Sequence, residues 1–383
     1  MKRKMLRIVH VVMNRSFPAQ LPGVHRQVYS LAEAESRLGM DVSIWDIGTH
    51  RTVGNIDKVD HRSFEVQSNR LVISPAMKVA LDELPSLSII HIHGGFIPEY
   101  FALSRYLRKS RKKIRVVLSP HGDYSEIKLR GLSLLRRAYY YLFERPVIKL
   151  ASLVHLLGPA EVNGYNFFMN EETPFVCLPN GIANGHRQHA GSKKAYEDPF
   201  VVTYSGDLSI IAKGLDLLMD AFTKFYLDVA TPVELWIIGE GKDREALRAM
   251  AERVGIESKV KFFGKIPRKR REEIFLKTSV FICPSRNGSC SDHSLEAAAV
   301  GVPMIVSEET NLGTFVRQYE AGWCLSRNTE EHLRQALHEA YVFYKSNAEG
   351  YASLQRRSVS MIREEFNWNT LARKWKEVYS AVS

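Results

Sequence analysis

The chain has 383 residues, 45% of them hydrophobic and 25% charged, which is enough apolar material for more than one core and predicts a water-soluble globular protein of two domains. Its 53 Lys and Arg against 42 Asp and Glu give a net charge of +11, which suits an anionic substrate, a nucleic acid or an anionic membrane surface without choosing among them. No apolar run reaches bilayer-spanning length, and the four cysteines lack paired metal-ligand spacing, so reduced core thiols in a cytosolic setting are expected.

The basic N-terminus runs into Leu6-Arg-Ile-Val-His-Val-Val12, which is too short and has no small-residue cleavage site to make a signal peptide. It is expected as the first strand. Gly23 precedes a helix from about His25 to Leu38, and Met40 to Trp45 returns as a strand. In this βαβ unit Gly23 either makes a turn or lets backbone amides approach a phosphate. Ser88 to His93 is a buried strand with His91 and His93 on one face; with no third ligand at metal spacing, a hydrogen-bonded structural role is favoured. The strand from Ile114 leads to His121, just past its carboxyl end, where open α/β sheets handle ligands; a plain turn histidine is the alternative. Ser125 to Leu150 is a basic, aromatic helical region containing Arg136, Arg137 and Tyr139, and cations from Arg105 to Arg115 precede it. A positive face follows, solvated or membrane-facing, with no recognisable nucleic-acid module. Short strands at Val154–Leu157 and Phe175–Leu178 close this first series.

Residues 183–198 are polar, without apolar period, and read as a linker. A second series follows: strands Phe200–Tyr204, Val233–Ile238 and Val260–Phe263 alternate with helices Leu215–Tyr226, Asp243–Val254 and Arg268–Lys277. Thr278–Cys283 is then a strand, a loop of small polar residues follows Pro284, and His293–Val300 forms an Ala-rich helix. Gly301 sits at its C-cap, and Met304–Val306 begins another strand. Glu296, about one turn into that helix, either complements the helix dipole or faces a ligand. A capping box is excluded, because its partner position is His293. The final helix, Trp368 to Ala381, carries Trp368, Leu371, Ala372, Trp375, Val378 and Tyr379 at helical spacing, an apolar face that must pack on a core. Two series of alternating strands and helices predict an α/β protein of two Rossmann-like domains with a cleft between them.

Pro284-Ser285, Leu295-Glu296-Ala297, Gly301 and Pro303 together resemble the nucleotide-sugar site of the retaining glycosyltransferases of family 4. Ser119-Pro-His-Gly122, Glu144-Arg-Pro146, Pro179-Asn-Gly-Ile182, Lys213-Gly-Leu-Asp216, Trp236 to Gly241 and Phe262 to Ile266 extend the resemblance over nearly the whole chain. It implies the GT-B fold, with an acceptor domain over residues 1–182, a linker over 183–198, a donor domain over 199–365 and a helix over 366–383 that crosses back onto the first domain. It also implies roles. Lys213 would bind the diphosphate, Glu296 the ribose, and the backbone near Lys265 and Ile266 the base. The amides of Gly288, Ser289, Cys290 and Ser291 would meet sugar hydroxyls or phosphate, with Gly23 near the diphosphate and His121 near the sugar. The implied reaction moves a hexose with retention, from a nucleotide diphosphate sugar (UDP-linked favoured) to a glycan or lipid-linked acceptor in cell-surface polysaccharide assembly. The implied enzyme is cytoplasmic and peripheral on the anionic inner face of the membrane, using neither metal nor cofactor and binding no nucleic acid.

Two positions depart from the family. Gly288 stands where the family's first glutamate belongs; Asp292 either supplies that carboxylate, a catalytic candidate beside His121, or caps the helix. Asp207 stands where the family carries an arginine. These departures keep a second reading open, that of a catalytically impaired homologue acting as a nucleotide-sugar-binding or scaffolding partner. A dinucleotide dehydrogenase is disfavoured by Arg244 at the place of the third glycine, and a nucleotide-sugar epimerase fits the motifs less well.

Overall fold

The computed structural model describes residues 6–13, 23–48, 52–56, 59–131, 133–169, 172–182, 199–286 and 292–383. The chain divides into two compact units, Met1–Ala183 with Trp368–Ser383, and Asn184–Asn367.

In the first unit the order is β1 (Arg7–Val12), α1 (Gly23–Arg37), β2 (Asp41–Gly48), β3 (Thr52–Ile56), β4 (Val59–Glu65), α2 (Pro75–Glu83), β5 (Ser88–His93), α3 (Pro98–Lys109), β6 (Arg115–Ser119) and α4 (Glu126–Arg130). There follow α5 (Leu134–Tyr139), a π-helical turn over Tyr140–Glu144, α6 (Arg145–Ile148), β7 (Leu153–Leu156), α7 (Pro159–Met169) and β8 (Phe175–Cys177). Among the described residues the strands form one sheet in the order β3-β4-β2-β1-β5-β6-β7-β8, parallel except where β3 meets β4. β5 and β7 are buried along their whole length, as expected of central parallel strands covered on both faces. The chain leaves β1 toward β2 on one side and later returns to β5 on the other. The β1/β5 boundary is therefore a topological switch point, where such sheets bind ligands. The C-terminal helix lies against α1, and its Trp368, Leu371, Ala372, Trp375 and Tyr379 share a core with Leu31, Ile44, Ile89 and Val117.

Three details differ from the sequence expectation. The β3–β4 hairpin was not foreseen. The single helical region expected over Ser125–Leu150 is broken into α4, α5, the π turn and α6. Cys177, expected as a core thiol, is exposed on the edge strand β8, whereas Cys283 is buried.

In the second unit the order is β9 (Phe200–Ser205), α8 (Ile210–Lys213), α9 (Leu215–Asp228), β10 (Val233–Ile238), α10 (Arg244–Arg253), β11 (Val260–Gly264), α11 (Arg268–Phe275), β12 (Val280–Cys283) and α12 (Asp292–Ala299). It continues with β13 (Met304–Ser307), α13 (Gly313–Tyr319), β14 (Gly322–Leu325), α14 (Glu330–Ser346) and α15 (Ala348–Glu365); the helix Trp368–Val382 that rejoins the first unit is α16. The strands run β11-β10-β9-β12-β13-β14, all paired in parallel. β9 and β12 flank the switch point here, since the chain proceeds from β9 outward to β11 and then returns to β12. Gly239, at φ +138°, shows how tightly this edge is built: a Cβ there would lie 1.8 Å from the Gly206 carbonyl oxygen, so only glycine lets the loops after β9 and β10 touch.

Candidate functional site

At the carboxyl edge of the second sheet, the loop after β9 is stitched to the end of β12. Arg286 donates from its backbone to the Ala212 carbonyl at 3.0 Å, and its guanidinium forks onto Asp216 at 2.7 and 2.8 Å. Burial alone would raise the Asp216 pKa, but the Arg286 fork overcomes it and holds the carboxyl below its usual range. Gly214, left-handed at φ +66°, lets α8 end and α9 begin against the Pro284 carbonyl, which a Cβ would meet at 2.0 Å. Lys213 precedes it and its charge reaches the end of β12: burial pushes the Cys283 thiol up and the Lys213 ammonium opposes that shift. Asp207, the acidic departure, is exposed, and its carbonyl accepts from the Tyr204 hydroxyl at 2.8 Å.

Glu296 projects from α12 and is only 6% exposed. Its carboxylate receives both arms of Arg271, Nε at 2.7 Å and Nη2 at 2.8 Å, while Nη1 of the same arginine donates to the Ile266 carbonyl at 2.9 Å. The helix-dipole reading is therefore incomplete. One guanidinium ties the loop after β11 to the α12 carboxylate, and each carboxylate oxygen keeps a lone pair for a further donor. Asp292 begins α12, and His293 Nδ1 lies 2.9 Å from the Ser205 hydroxyl at the end of β9. Lys265 is exposed and Ile266 half-buried in the loop after β11. Gly288, Ser289, Cys290 and Ser291 lie outside the described residues. Lys213, Glu296, Lys265 and Ile266 thus share one sheet edge. Gly23 and His121 belong to the other unit, and Gly23 opens α1 with open space around its Cα.

The first unit holds a row of buried imidazoles across its switch point. His10 on β1 is in register with His91 on β5; His93 is in register with Ser119 on β6, and His155 lies on β7. Two hydrogen-bonded ladders run through them. One joins Glu35 Oε2 to His10 Nε2 at 2.7 Å, His10 Nδ1 to His93 Nε2 at 2.9 Å, and His93 Nδ1 to His121 Nε2 at 2.9 Å. The other joins Tyr379 to His91 Nδ1 at 2.7 Å, His91 Nε2 to Ser119 at 2.6 Å, Ser119 to His155 Nδ1 at 2.7 Å, and His155 Nε2 to the Leu178 carbonyl at 2.8 Å. Burial, reinforced by neighbouring histidines, lowers the pKa of His121 to about 3 and holds His91 and His93 well below the usual value. Burial likewise takes His155 to about 4.

Ring nitrogens of His10, His91 and His93 lie within 4.8 Å of one another, so the structure supplies the third histidine that sequence spacing missed. The arrangement does not suit a metal. All six ring nitrogens already have hydrogen-bond partners, with the His91 and His93 rings tilted by 32° at 4.0 Å between centroids, so a metal could bind only by displacing those bonds. His121 itself has a left-handed backbone, φ +52°, at the end of β6, a strained conformation of the kind found at functional sites. Two buried carboxylates that sequence reasoning did not single out hold the neighbouring loops. Glu144 accepts from the Phe96 amide at 2.9 Å, and Glu161 accepts from the Leu157 amide at 2.7 Å and from the Gly122 amide. Burial raises both to about 7. Beside them a cavity of about 490 Å³ is lined by Phe96, Asp123, Lys128, Leu135, Arg136 and Tyr139.

Two family profiles match this chain. "Glycosyl transferase 4-like domain" matches residues 22–181, and "Glycosyl transferases group 1" matches residues 186–347. The chain is a GT-B glycosyltransferase of family 4. This glycosyltransferase is 22% identical over 367 residues to an uncharacterised glycosyltransferase of Haemophilus influenzae, covering 93% of this chain and 96% of that protein. A glycogen synthase of Desulfitobacterium hafniense is 25% identical over 178 residues, covering 44% of this chain and only 36% of the synthase. Among solved structures, the catalytic domain of starch synthase IV from Arabidopsis thaliana, bound to ADP and acarbose, superposes with a TM-score of 0.73 at 16% identity, covering 99% of both chains. Anabaena HepE in complex with UDP gives 0.72 at 13% identity, covering 98% of the glycosyltransferase and 100% of HepE. The lipopolysaccharide outer core galactosyltransferase WaaB gives 0.69 at 14% identity, covering 98% and 100%.

Proposed function

We propose that this glycosyltransferase moves a hexose, with retention of anomeric configuration, from a UDP-sugar to a glycan or lipid-linked acceptor in cell-surface polysaccharide assembly. The observation that carries the reading is the placing of Lys213, after β9, and the buried Glu296 carboxylate, after β12, on the same carboxyl edge at the β9/β12 switch point. Lys213 and the amides at the start of α12 offset the charge developing on the departing diphosphate, which supports a reaction needing neither metal nor cofactor. Glu296 accepts from the ribose hydroxyls and the backbone at Ile266 reads the base, and UDP in the HepE complex favours uracil. The exposed Asp207 is screened by solvent, so its repulsion of the diphosphate is held to about 1 kcal/mol. The acceptor oxygen bonds to the anomeric carbon on the face from which the nucleotide leaves. The bond from that carbon to the diphosphate oxygen breaks, and the hydroxyl proton passes to the diphosphate. His121 meets the sugar.

For the acceptor, the 490 Å³ cavity offers apolar walls at Phe96, Leu135 and Tyr139 with cations at Lys128 and Arg136. Leu134 and Leu135 are 83% and 84% exposed beside Arg136 and Arg137. Leucines in water flanked by arginines suit an anionic membrane surface, and a lipid-linked acceptor would be reached there. Calorimetric titration with a panel of nucleotides and nucleotide sugars, followed by nucleotide-release assays, tests the reading. Lys213→Ala and Glu296→Ala should each weaken UDP-sugar binding, and unchanged affinity in both refutes the site. Binding without turnover on any acceptor would favour the scaffolding alternative that Gly288 raises.

A further inference from the structure

The 490 Å³ cavity of the first unit has one wall that costs backbone strain to build. Phe96 is left-handed at φ +57°, a conformation unfavourable for a bulky residue, and two carboxylates pin the segment: Glu144 accepts from the Phe96 amide at 2.9 Å and Asp123 from the Gly95 amide at 3.1 Å. Gly95 permits the close approach, since a Cβ there would lie 3.0 Å from the Tyr124 ring and 3.2 Å from Asp123 Cβ. Of the two carboxylates only Asp123 lines the cavity, and its Oδ1 receives Lys128 Nζ at 2.9 Å, so these two charges offset each other. Arg136, on α5, lines the cavity as well, and among the described residues its guanidinium meets no carboxylate or carbonyl. One cation is therefore left over at this cavity.

We propose that Arg136 binds the phosphate of a lipid-linked acceptor, with the lipid leaving over the leucines beside it. The proposal deepens the reading that the acceptor enters this cavity, and it rests on that reading. A planar guanidinium with free N–H groups matches the oxygens of a phosphate in a way that a point charge does not. Asp123 repels a second anion and so steers the phosphate toward Arg136 and away from Lys128. The apolar part of the acceptor has its own surface next to that cation. Leu135 lines the cavity directly before Arg136, and Leu134, Tyr141 and Leu142, at 83%, 61% and 62% exposed, follow on α5 and the π-helical turn. An amphiphile with its anion at the head of an apolar chain fits this order of surfaces. A free sugar phosphate would leave the leucines in water, and a neutral glycan would leave the guanidinium unmatched.

The test is calorimetric titration of the full chain with decyl diphosphate below its micelle concentration, against inorganic diphosphate and decyl glucoside, each with and without excess UDP. Decyl diphosphate should bind saturably whether or not UDP is present, and about tenfold or more tightly than either comparison probe. Arg136→Gln should weaken it about tenfold or more, the worth of a charge-assisted hydrogen bond, and Arg136→Lys by less. Asp123→Asn should leave the affinity equal or tighter, because the carboxylate only repels the anion. Arg136 is exposed and holds nothing in the described fold, so its variants remain folded. Unchanged affinity in Arg136→Gln overturns the proposal, and so does weaker binding in Asp123→Asn. Displacement by UDP places the anion at the donor diphosphate site instead, and inorganic diphosphate binding as tightly as the decyl form removes the lipid; either result overturns it too. Binding to phosphatidylglycerol vesicles that falls in Arg136→Gln, with no saturable binding of decyl diphosphate in solution, makes Arg136 a membrane-surface contact only and likewise overturns it. If UDP fails to bind while decyl diphosphate still depends on Arg136, the donor reading fails and the lipid-phosphate site stands.

Discussion

Removing Arg271 strands a carboxylate. The Arg271 and Glu296 side chains are 13% and 8% exposed, so the pair is largely buried and its two hydrogen bonds of 2.7 and 2.8 Å are mostly shielded from water. Breaking such a pair from one side leaves an uncompensated charge, at a cost of about 3–5 kcal/mol, whereas replacing both partners with apolar residues of similar volume is close to neutral. Arg271→Met should therefore destabilise α12 by about 3–5 kcal/mol, with the orphaned Ile266 carbonyl adding to it, and Glu296→Leu by a similar amount. The double variant should lie within about 2 kcal/mol of wild type, so the coupling is large and of opposite sign to the single costs. Hydrogen exchange of α12 amides in the full chain reads the opening free energy locally, whatever the first unit does. Calorimetry on Arg271→Met should show UDP binding weakened about tenfold, because the carboxylate loses its fixed orientation. A coupling below about 0.5 kcal/mol, the additivity expected of independent sites, would refute the claim that the two residues act as one unit.

Gly214→Ala should cost more than about 2 kcal/mol, since a Cβ at φ +66° would lie 2.0 Å from the Pro284 carbonyl. Gly23→Ala, with nothing within 4 Å, should stay within about 0.5 kcal/mol in the same thermal denaturation. Lowering the pH sets two groups of buried residues against each other. His91, His93, His121 and His155 are neutral in the fold with depressed pKa values, so their contribution is whole above about pH 6.5 and lost as the pH falls; at pH 5 His121 and His155 each give up about 2 kcal/mol, and His91 and His93 lose in the same direction. Glu144 and Glu161, raised to about 7, take up protons that the unfolded chain does not, and between pH 7.5 and 5 each returns slightly more than about 2 kcal/mol. Four histidines against two carboxylates leaves a net loss of stability at pH 5; denaturant titrations showing equal or greater stability there would contradict this balance. Leu134→Ser with Leu135→Ser should reduce binding to anionic vesicles without changing stability, as both side chains are more than 80% exposed, and binding indifferent to anionic lipid and salt would remove the membrane proposal.

The parallel strands were legible because each is a short, nearly continuous apolar run, as in Ser88–His93 and Phe200–Ser205, followed by a loop at its carboxyl end. β3 and β4 were not, because Thr52-Val-Gly-Asn-Ile56 and Val59-Asp-His-Arg-Ser-Phe-Glu65 carry too few apolar residues to stand out, and their pairing comes from each other and from β2. Glu296 was visible through its motif, whereas Arg271 sits 25 positions away among other arginines, and nothing local distinguishes the one that folds inward. The histidine ladders show the same limit. His91 and His93 advertised their shared face by alternation, but His10 and Glu35 reach them only through β1 pairing with β5 and α1 packing above the sheet. One signal was available and unused: a glutamate at Glu35 on the buried face of an amphipathic helix demands a partner.

Helix α16 gives the first unit a beginning and an end separated by the whole of Asn184–Asn367. During synthesis the eight strands of that unit are therefore complete long before Trp375 and Tyr379 exist to close over His91 and His155. For that interval His91 and His155 lack the cover that the Trp375 and Tyr379 rings supply in the fold. An alteration of the final turns of the chain would accordingly be felt at the centre of the sheet that was made first, and a C-terminal affinity tag is best joined through a spacer that leaves α16 free to seat.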